Sequence, residues 1–238
     1  MNLKVCKSLF ISLSLSTAFL WFMATISSCG GQGAASPTGL NIKYRVINLS
    51  PDLFPVYLFV DFKKVNTTPF TFTVDHGYFF VPSIDNPYQF RSALVSGAEL
   101  FERNDSLKSG LRYTLFITGN VADGSIKQIF TVDTASSAKL GRGKIRFVNA
   151  SPTSVNGLDV TANGTPAFSK ILYTNHSKFV ELPAGNYDFQ INSTGSSMVI
   201  KDLPGVTIQD GRLYTLYAYG YTTRIDTAAF NAAVITNQ

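Results

Sequence analysis

The stretch YRVINLSP at positions 44–51 recurs as IRFVNASP at positions 145–152, and this repetition decides the fold. The two copies lie 101 residues apart. The same offset relates GLRYTLFITG at 110–119 to GRLYTLYAYG at 211–220. A fixed offset sustained over a whole segment is the signature of a duplicated structural unit. We therefore predict two tandem domains, at residues 40–138 and 142–238.

Each unit has the pattern of short β-strands. Apolar residues alternate at Leu58, Val60 and Phe62, which is the period of a half-buried strand, and Asn163-Gly164 is a strong hairpin signal. About seven short strands per unit, without a long helical period, predict an all-β chain of two antiparallel β-sandwich domains, immunoglobulin-like or transthyretin-like. The alanine-rich segment 227–234 is left open as strand or helical turn.

The same motifs carry a family resemblance. In the second copy they are the strand ending in Asn149-Ala150-Ser151-Pro152, the turn Leu182–Tyr187 and the segment Gly211–Thr215. The first copy departs from this pattern at Pro82–Tyr88, where we expect a longer turn. The pattern resembles the bacterial domain-of-unknown-function 4397 family, which is common in envelope lipoproteins. The resemblance covers both repeats. It implies an extracytoplasmic immunoglobulin-like or transthyretin-like module and no assigned reaction.

Residues 1–28 have the pattern of a secretory signal peptide. Lys4 and Lys7 precede an uncharged, largely apolar stretch at residues 8–28. That stretch is long enough to span a bilayer, but serines interrupt it and it ends in Ser27-Ser28-Cys29, which resembles the bacterial lipoprotein box. We therefore predict cleavage before Cys29 and lipidation of Cys29, rather than a retained membrane helix.

Lipidation also explains the cysteine usage. Cys6 is lost with the signal peptide, so Cys29 is the one cysteine of the mature sequence, and acylation removes a reactive thiol from an exported chain. Residues 29–39 are then the lipidated cysteine and a flexible Gly-rich tether. Gly30, by resemblance to the sorting rule of diderm bacteria, favours the outer membrane of the bacterial cell envelope. Because no acidic export tag follows Cys29, we expect a periplasm-facing anchor, with the cell surface as the alternative.

Composition argues against most catalytic and nucleic-acid functions. The mature sequence keeps 18 basic and 15 acidic residues, scattered rather than clustered, so nucleic-acid binding is not expected. His76 and His176 are the only histidines and are interpreted as turn-flanking residues, because a metal site needs three or four converging ligands. Ser50 and Ser151 are interpreted as turn caps rather than nucleophiles. Most aspartates fall in turns, and Asp61 and Asp159 remain unexplained. We predict no catalytic residue, no metal site and no cofactor.

Two sets of surface residues are candidates for interaction or modification. Alternate tyrosines on the last-but-one strand must face outward, so Tyr217, Tyr219 or Tyr221 could stack on a sugar or a partner protein, although filling between the two sheets and decoration of the edge is the favoured interpretation. Asp-Ser/Thr-apolar triplets resemble an O-glycosylation signal of exported proteins, with acceptors at Ser106, Thr134 and Thr227.

The sequence favours a non-enzymatic, lipid-anchored envelope module that binds or scaffolds protein or glycan, with the membrane reached through Cys29. The alternative is a fimbrial-type subunit that assembles by strand addition. A hydrolase with carboxylates assembled across the two domains is less favoured.

Overall fold

The structure is a computed structural model that describes residues 42–81, 86–94 and 97–237. The predicted signal peptide, Cys29 and the whole predicted tether lie outside these residues. Within the described ranges, no helix is both long and apolar enough to span a membrane.

The all-β fold class is confirmed. The first repeat contains β1 (Lys43–Asn48), β2 (Val56–Val60), β3 (Lys63–Lys64), β4 (Phe79–Phe80), β5 (Tyr88–Ser92), β6 (Glu99–Arg103), β7 (Arg112–Thr118) and β8 (Lys127–Val132). The second contains β9 (Arg142–Ala150), β10 (Leu158–Ala162), β11 (Thr165–Ile171), β12 (Val180–Pro183), β13 (Gly185–Ser193), β14 (Val199–Ile208), β15 (Leu213–Tyr219) and β16 (Asn231–Thr236). The segment left open at 227–234 is therefore a turn leading into strand β16.

Each repeat is a sandwich of two four-stranded sheets with the same topology. In the first repeat, sheet β4-β1-β7-β8 packs on sheet β3-β2-β5-β6; in the second, sheet β12-β9-β15-β16 packs on sheet β11-β10-β13-β14. One strand pair per repeat departs from the antiparallel prediction, because β1 runs parallel to β7 and β9 runs parallel to β15. Parallel neighbours need a long crossover, and here almost the whole repeat separates the two strands.

The strand alternation fixes which residues fill each sandwich. Tyr44 and Val46 of β1 and Leu115 of β7 are buried in the first core, as Tyr214 and Leu216 of β15 are in the second. These are the residues that the period of two assigns to one face. The Tyr-Thr-Leu strands β7 and β15 thus turn the same face into the core of their repeat.

A third apolar core lies between the repeats. The opposite faces of sheets β4-β1-β7-β8 and β12-β9-β15-β16 meet there, and the buried residues are Ile47, Leu49, Phe116, Ile129, Val148, Ala150, Tyr217 and Ile235. The central strands β1, β7, β9 and β15 are therefore buried on both faces along most of their length. The two repeats form one packed unit rather than two independent domains joined by a linker.

Candidate functional site

Loops from both repeats meet at one edge of the packed unit. Because β1 is parallel to β7 and β9 is parallel to β15, the loops that follow all four strands leave in the same direction. The hydroxyl of Thr118, at the end of β7, donates to the carbonyl of Ala150, at the end of β9, over 2.6 Å. We call this edge the loop end, and it comprises residues 49–55, 93–94, 119–126, 151–157, 172–175, 194–198 and 220–230.

The recurring Asn-x-Ser-Pro motif builds the first loop of each repeat. The side-chain oxygen of Asn48 accepts a hydrogen bond from the Ser50 amide at 3.0 Å, and Asn149 accepts one from the Ser151 amide at 3.1 Å. Both serines are buried; the Ser50 hydroxyl donates to Asp52 and that of Ser151 to the Gly220 carbonyl. The motif is thus a turn-forming device, as the sequence predicts.

The residue that follows the Asn-x-Ser-Pro motif in each repeat holds a second loop in place. The Asp52 carboxylate accepts hydrogen bonds from the amides of Val121 and Ala122, both at 2.9 Å, and the Thr153 hydroxyl accepts one from the Thr222 amide at 3.0 Å. These clips join the loop after β1 to the loop after β7, and the loop after β9 to the loop after β15. The loop end is therefore held by side-chain to backbone bonds that the strands do not supply.

Gly119 and Gly220 make the second loops sterically feasible. Both have positive φ, at 88° and 75°, a conformation that glycine adopts without steric cost. A Cβ atom on Gly119 would lie 2.2 Å from the Ser125 carbonyl oxygen, and one on Gly220 would lie 2.4 Å from that of Ala229. No other residue fits these positions without moving the loop.

Large apolar side chains protrude from several loops of the loop end. Ile225 is fully exposed and Met198 is 73% exposed, and the other exposed apolar residues of the loop end are Phe54, Leu94, Val121, Val155 and Leu172. An open cavity of about 380 Å³ adjoins them, with Gln128 and Phe130 of the first repeat on one side and Lys170, Leu172 and His176 of the second on the other. Exposed apolar residues gathered on loops at one edge are typical of an interaction surface.

The charges of the loop end are mixed. Arg224 forms an ion pair with Asp226, and its guanidinium carbon lies 5.9 Å from the centre of the Tyr221 ring. Burial, together with the nearby Tyr173, Asp123 and Asp52, raises the pKa of the Tyr221 hydroxyl to about 12. Hydrogen bonds from Ser125 lower the pKa of Asp123, which therefore stays ionised. The surface offers apolar contact and both signs of charge, which suits a polar macromolecular partner.

The three tyrosines proposed as a stacking surface differ in their exposure to solvent. Tyr217 does face away from its own domain core, but the first repeat covers it: it is 4% exposed and its ring centre lies 5.4 Å from that of Phe116. Tyr217 is therefore not available as a stacking surface, because the outward face of β15 is an inter-repeat interface. Tyr219 and Tyr221 are half-buried, and their role in binding stays a prediction.

The histidines and the two unexplained aspartates do not form a cluster of metal ligands. His76 and His176 are exposed, and the part of the chain that the structure describes contains no group of three potential metal ligands. The Asp159 carboxylate accepts hydrogen bonds from the Ser169 and Thr194 hydroxyls and from the Lys170 and Gly195 amides. Partial burial would raise its pKa, but these bonds outweigh burial and lower it. Asp159 thus fastens the start of β10 to its neighbours.

Asp61 has a simpler local role. It occupies the β2–β3 turn with φ of 47°, and its carboxylate lies 3.7 Å from the Lys63 ammonium. Asparagine and aspartate tolerate such left-handed conformations better than most residues. Neither aspartate is therefore unexplained once its neighbours are known.

The glycosylation-like triplets differ in accessibility. Ser106 and Thr227 are exposed, whereas Thr134 is half-buried and its hydroxyl accepts a hydrogen bond from the Arg112 amide at 3.0 Å. The aspartate before Thr134 is fully buried. Modification of these residues stays a prediction, and the geometry favours Ser106 and Thr227 over Thr134.

Sequence reasoning missed a polar network between the repeats. The buried Arg146 forms an ion pair with the buried Asp133 of the first repeat and donates to the Val132 carbonyl at 2.7 Å. Arg45, the equivalent residue of the first repeat, donates to the Thr236 carbonyl of the second at 3.3 Å. The available signal was an arginine in the middle of each apolar motif strand, on the face opposite the sandwich core.

These observations define an all-β protein of two duplicated sandwich domains joined face to face, with one shared loop end. A family model described as a domain of unknown function, DUF4397, matches residues 43–156 and 145–238. The chain belongs to this family. A search of curated proteins finds no match. Among solved structures, the C-terminal domain of AlgF from P. aeruginosa is 14% identical and covers 42% of this chain and 99% of its own, with a TM-score of 0.29.

Proposed function

We propose that this protein is a lipid-anchored, non-catalytic module of the bacterial cell envelope that binds protein or glycan through its loop end. The anchor is the lipidated Cys29 that the sequence predicts, in the outer membrane and facing the periplasm, with the cell surface as the alternative location. The proposal agrees with membership of a family without an assigned reaction.

The observation that carries the proposal is the fastened, apolar loop end. A loop that only connects strands has no need of exposed apolar side chains such as Ile225 and Met198. Their contact with water favours the bound state, in which a partner covers them, over the free protein. Before any partner binds, the Thr153 clip restricts the loop that carries Ile225, and the Asp159 carboxylate restricts the turn before Met198 through the Gly195 amide, which lowers the entropic cost of binding.

The alternative of assembly by strand addition has less support. Such assembly uses an unpaired sheet edge, and the longest edge strand of the described residues is β14. Pro204 interrupts β14, and a shift in register separates Leu203 from Val206 where they pair with β13. Proline cannot donate to a ladder, so this edge is poorly suited to receive another strand.

Capture experiments with the lipidated protein test the proposal. Ile225→Ser and Met198→Ser change the loop end, while Phe80→Ser changes an exposed apolar residue beside the start of β1, at the opposite end of the first repeat. We expect the loop-end double variant to lose at least tenfold in capture of its envelope protein or glycan and Phe80→Ser to retain it, because a few central apolar residues dominate most interfaces. Equal capture by both variants would contradict binding at the loop end. Turnover of peptidoglycan, glycan or ester substrates, abolished by one point change, would contradict a non-catalytic role.

A further inference from the structure

The edge opposite the loop end is rich in exposed cations. Strands β1, β7, β9 and β15 all begin there, and the chain from Cys29 enters there at Ile42. We call it the basic end, and its exposed or half-exposed cations include Lys43, Lys63, Lys64, Lys108, Lys139 and Arg212.

The described basic end carries more cations than carboxylates. Glu181 is paired with Arg142 and Lys144, and Asp61 lies against Lys63. Asp210 and Asp188 accept hydrogen bonds from the amides of Arg142 and Gly205, which leaves their negative charges in place. These four carboxylates face the six cations named above together with Arg142 and Lys144, and within the described residues Lys108, Lys139 and Arg212 form no ion pair, so this end carries an excess of positive charge.

Two turns at the basic end place an apolar side chain beside these cations. Leu140 is 94% exposed at the tip of the β8–β9 connection, where Gly141 has φ of 75° and Lys139 and Arg142 flank the tip. Phe62 is also exposed, at the tip of the β2–β3 turn, and Lys63 and Lys64 follow it directly. Exposed apolar residues ringed by lysine and arginine are typical of segments that contact the boundary between lipid headgroups and acyl chains.

We propose that the basic end rests on anionic phospholipid headgroups of the membrane that holds the anchor, with Leu140 and Phe62 entering the interface and the loop end pointing away. This inference rests on the proposed lipid anchor. Residues 30–41 separate Cys29 from Ile42 and span at most about 40 Å when extended, so the basic end always stays close to the bilayer. At that effective concentration a weak contact suffices, since each lysine near an anionic surface contributes about 1 kcal/mol.

Tryptophan fluorescence tests the orientation. Trp21 is the only tryptophan and lies in the predicted signal peptide, so a tryptophan placed in the mature protein is a unique probe. The lipidated Leu140→Trp variant is reconstituted in phosphatidylethanolamine vesicles with or without phosphatidylglycerol, each containing brominated lipid as quencher. Ile225→Trp, equally exposed at the loop end, is the matched control.

We expect Leu140→Trp emission to shift to shorter wavelength and to be quenched only in vesicles with phosphatidylglycerol, and Ile225→Trp to be unaffected in both. Adding Lys63→Glu, Lys64→Glu and Lys139→Glu to Leu140→Trp should abolish the quenching, since the loss of each lysine weakens the contact about fivefold before any repulsion. High salt should act in the same direction.

Three outcomes would overturn the inference. They are equal quenching of the two probes, quenching of Leu140→Trp that does not depend on phosphatidylglycerol, and an equal spectral shift of Leu140→Trp with an acidic polysaccharide in the absence of lipid. The mass of the purified protein separates this test from that of the proposed function. An unacylated Cys29 would refute the anchor, whereas lipid-dependent quenching of Leu140→Trp would still establish the basic end as a membrane contact.

Discussion

The inter-repeat ion pair gives the sharpest test of how the two domains are joined. Asp133 is fully buried, and its carboxylate accepts from Arg146, Thr114, Thr131 and Tyr78. At the equivalent place in the second repeat, following β16, stands the neutral Asn237. Asp133→Asn therefore gives the first repeat the residue that the second already has, with almost no change in volume.

The expected loss of stability follows from the charge that this variant leaves buried. Arg146 is 2% exposed, so Asp133→Asn leaves its guanidinium charge in the interface without a counter-ion. Removing one partner of a buried pair typically costs 3–5 kcal/mol, and the amide oxygen can still accept one hydrogen bond, so we expect about 3 kcal/mol. Replacing both partners by apolar residues, with Asp133→Leu and Arg146→Met, should return only part of that loss, because it removes the buried charge but leaves the hydroxyls of Thr114 and Tyr78 without their acceptor.

Urea unfolding of the full chain, followed by circular dichroism, measures these free energies. The matched control is Asp226→Asn, which removes the acid of an exposed ion pair with Arg224 and should leave the midpoint unchanged. If Asp133→Asn lowers the free energy of unfolding by less than about 1 kcal/mol, Arg146 does not depend on this carboxylate and the reasoning from burial is wrong. A double replacement that is as unstable as the single one would refute the pairwise account.

Three further predictions concern loops and titration. Gly119→Ala should destabilise the protein by several kcal/mol, since its Cβ meets the Ser125 carbonyl, whereas Gly110→Ala, also at positive φ but with open space around it, should cost only about 1 kcal/mol in the same unfolding assay. Burial raises the pKa values of Tyr44, Tyr78 and Tyr217 well above 10, so their phenolate absorbance should appear only as the protein unfolds. Because these tyrosines ionise first in the unfolded chain, the free energy of unfolding should fall as pH rises through about 10. In Tyr217→Phe it should fall by less. The hydrogen bonds to Asp159 hold its folded-state pKa below the unfolded value of about 3.9. Its contribution to stability is therefore present above that pH and is lost as pH falls through the folded pKa. The melting temperature of Asp159→Asn should accordingly change less than that of the wild type across the acid range.

Local patterns determined much of this protein in advance. The 101-residue offset predicted the duplication, the period of two indicated the strand in which Leu58 and Val60 are buried, and the serines of the Asn-x-Ser-Pro motif were recognisable as turn residues. All of these depend on interactions within a few residues or on repetition, which the linear order of the chain displays directly.

The tertiary structure alone decided what covers the outer face of each motif strand. Alternation shows that Arg45, Ile47, Arg146 and Tyr217 point away from their own sandwich, but a strand facing solvent and a strand facing another sheet have the same period. Pairing Arg146 with Asp133 also needed the packing of two domains, because no local rule relates an arginine at the start of one repeat to an acid at the end of the other. The same packing determined that loops from both repeats share one end, and that Leu140 and the lysines share the opposite one.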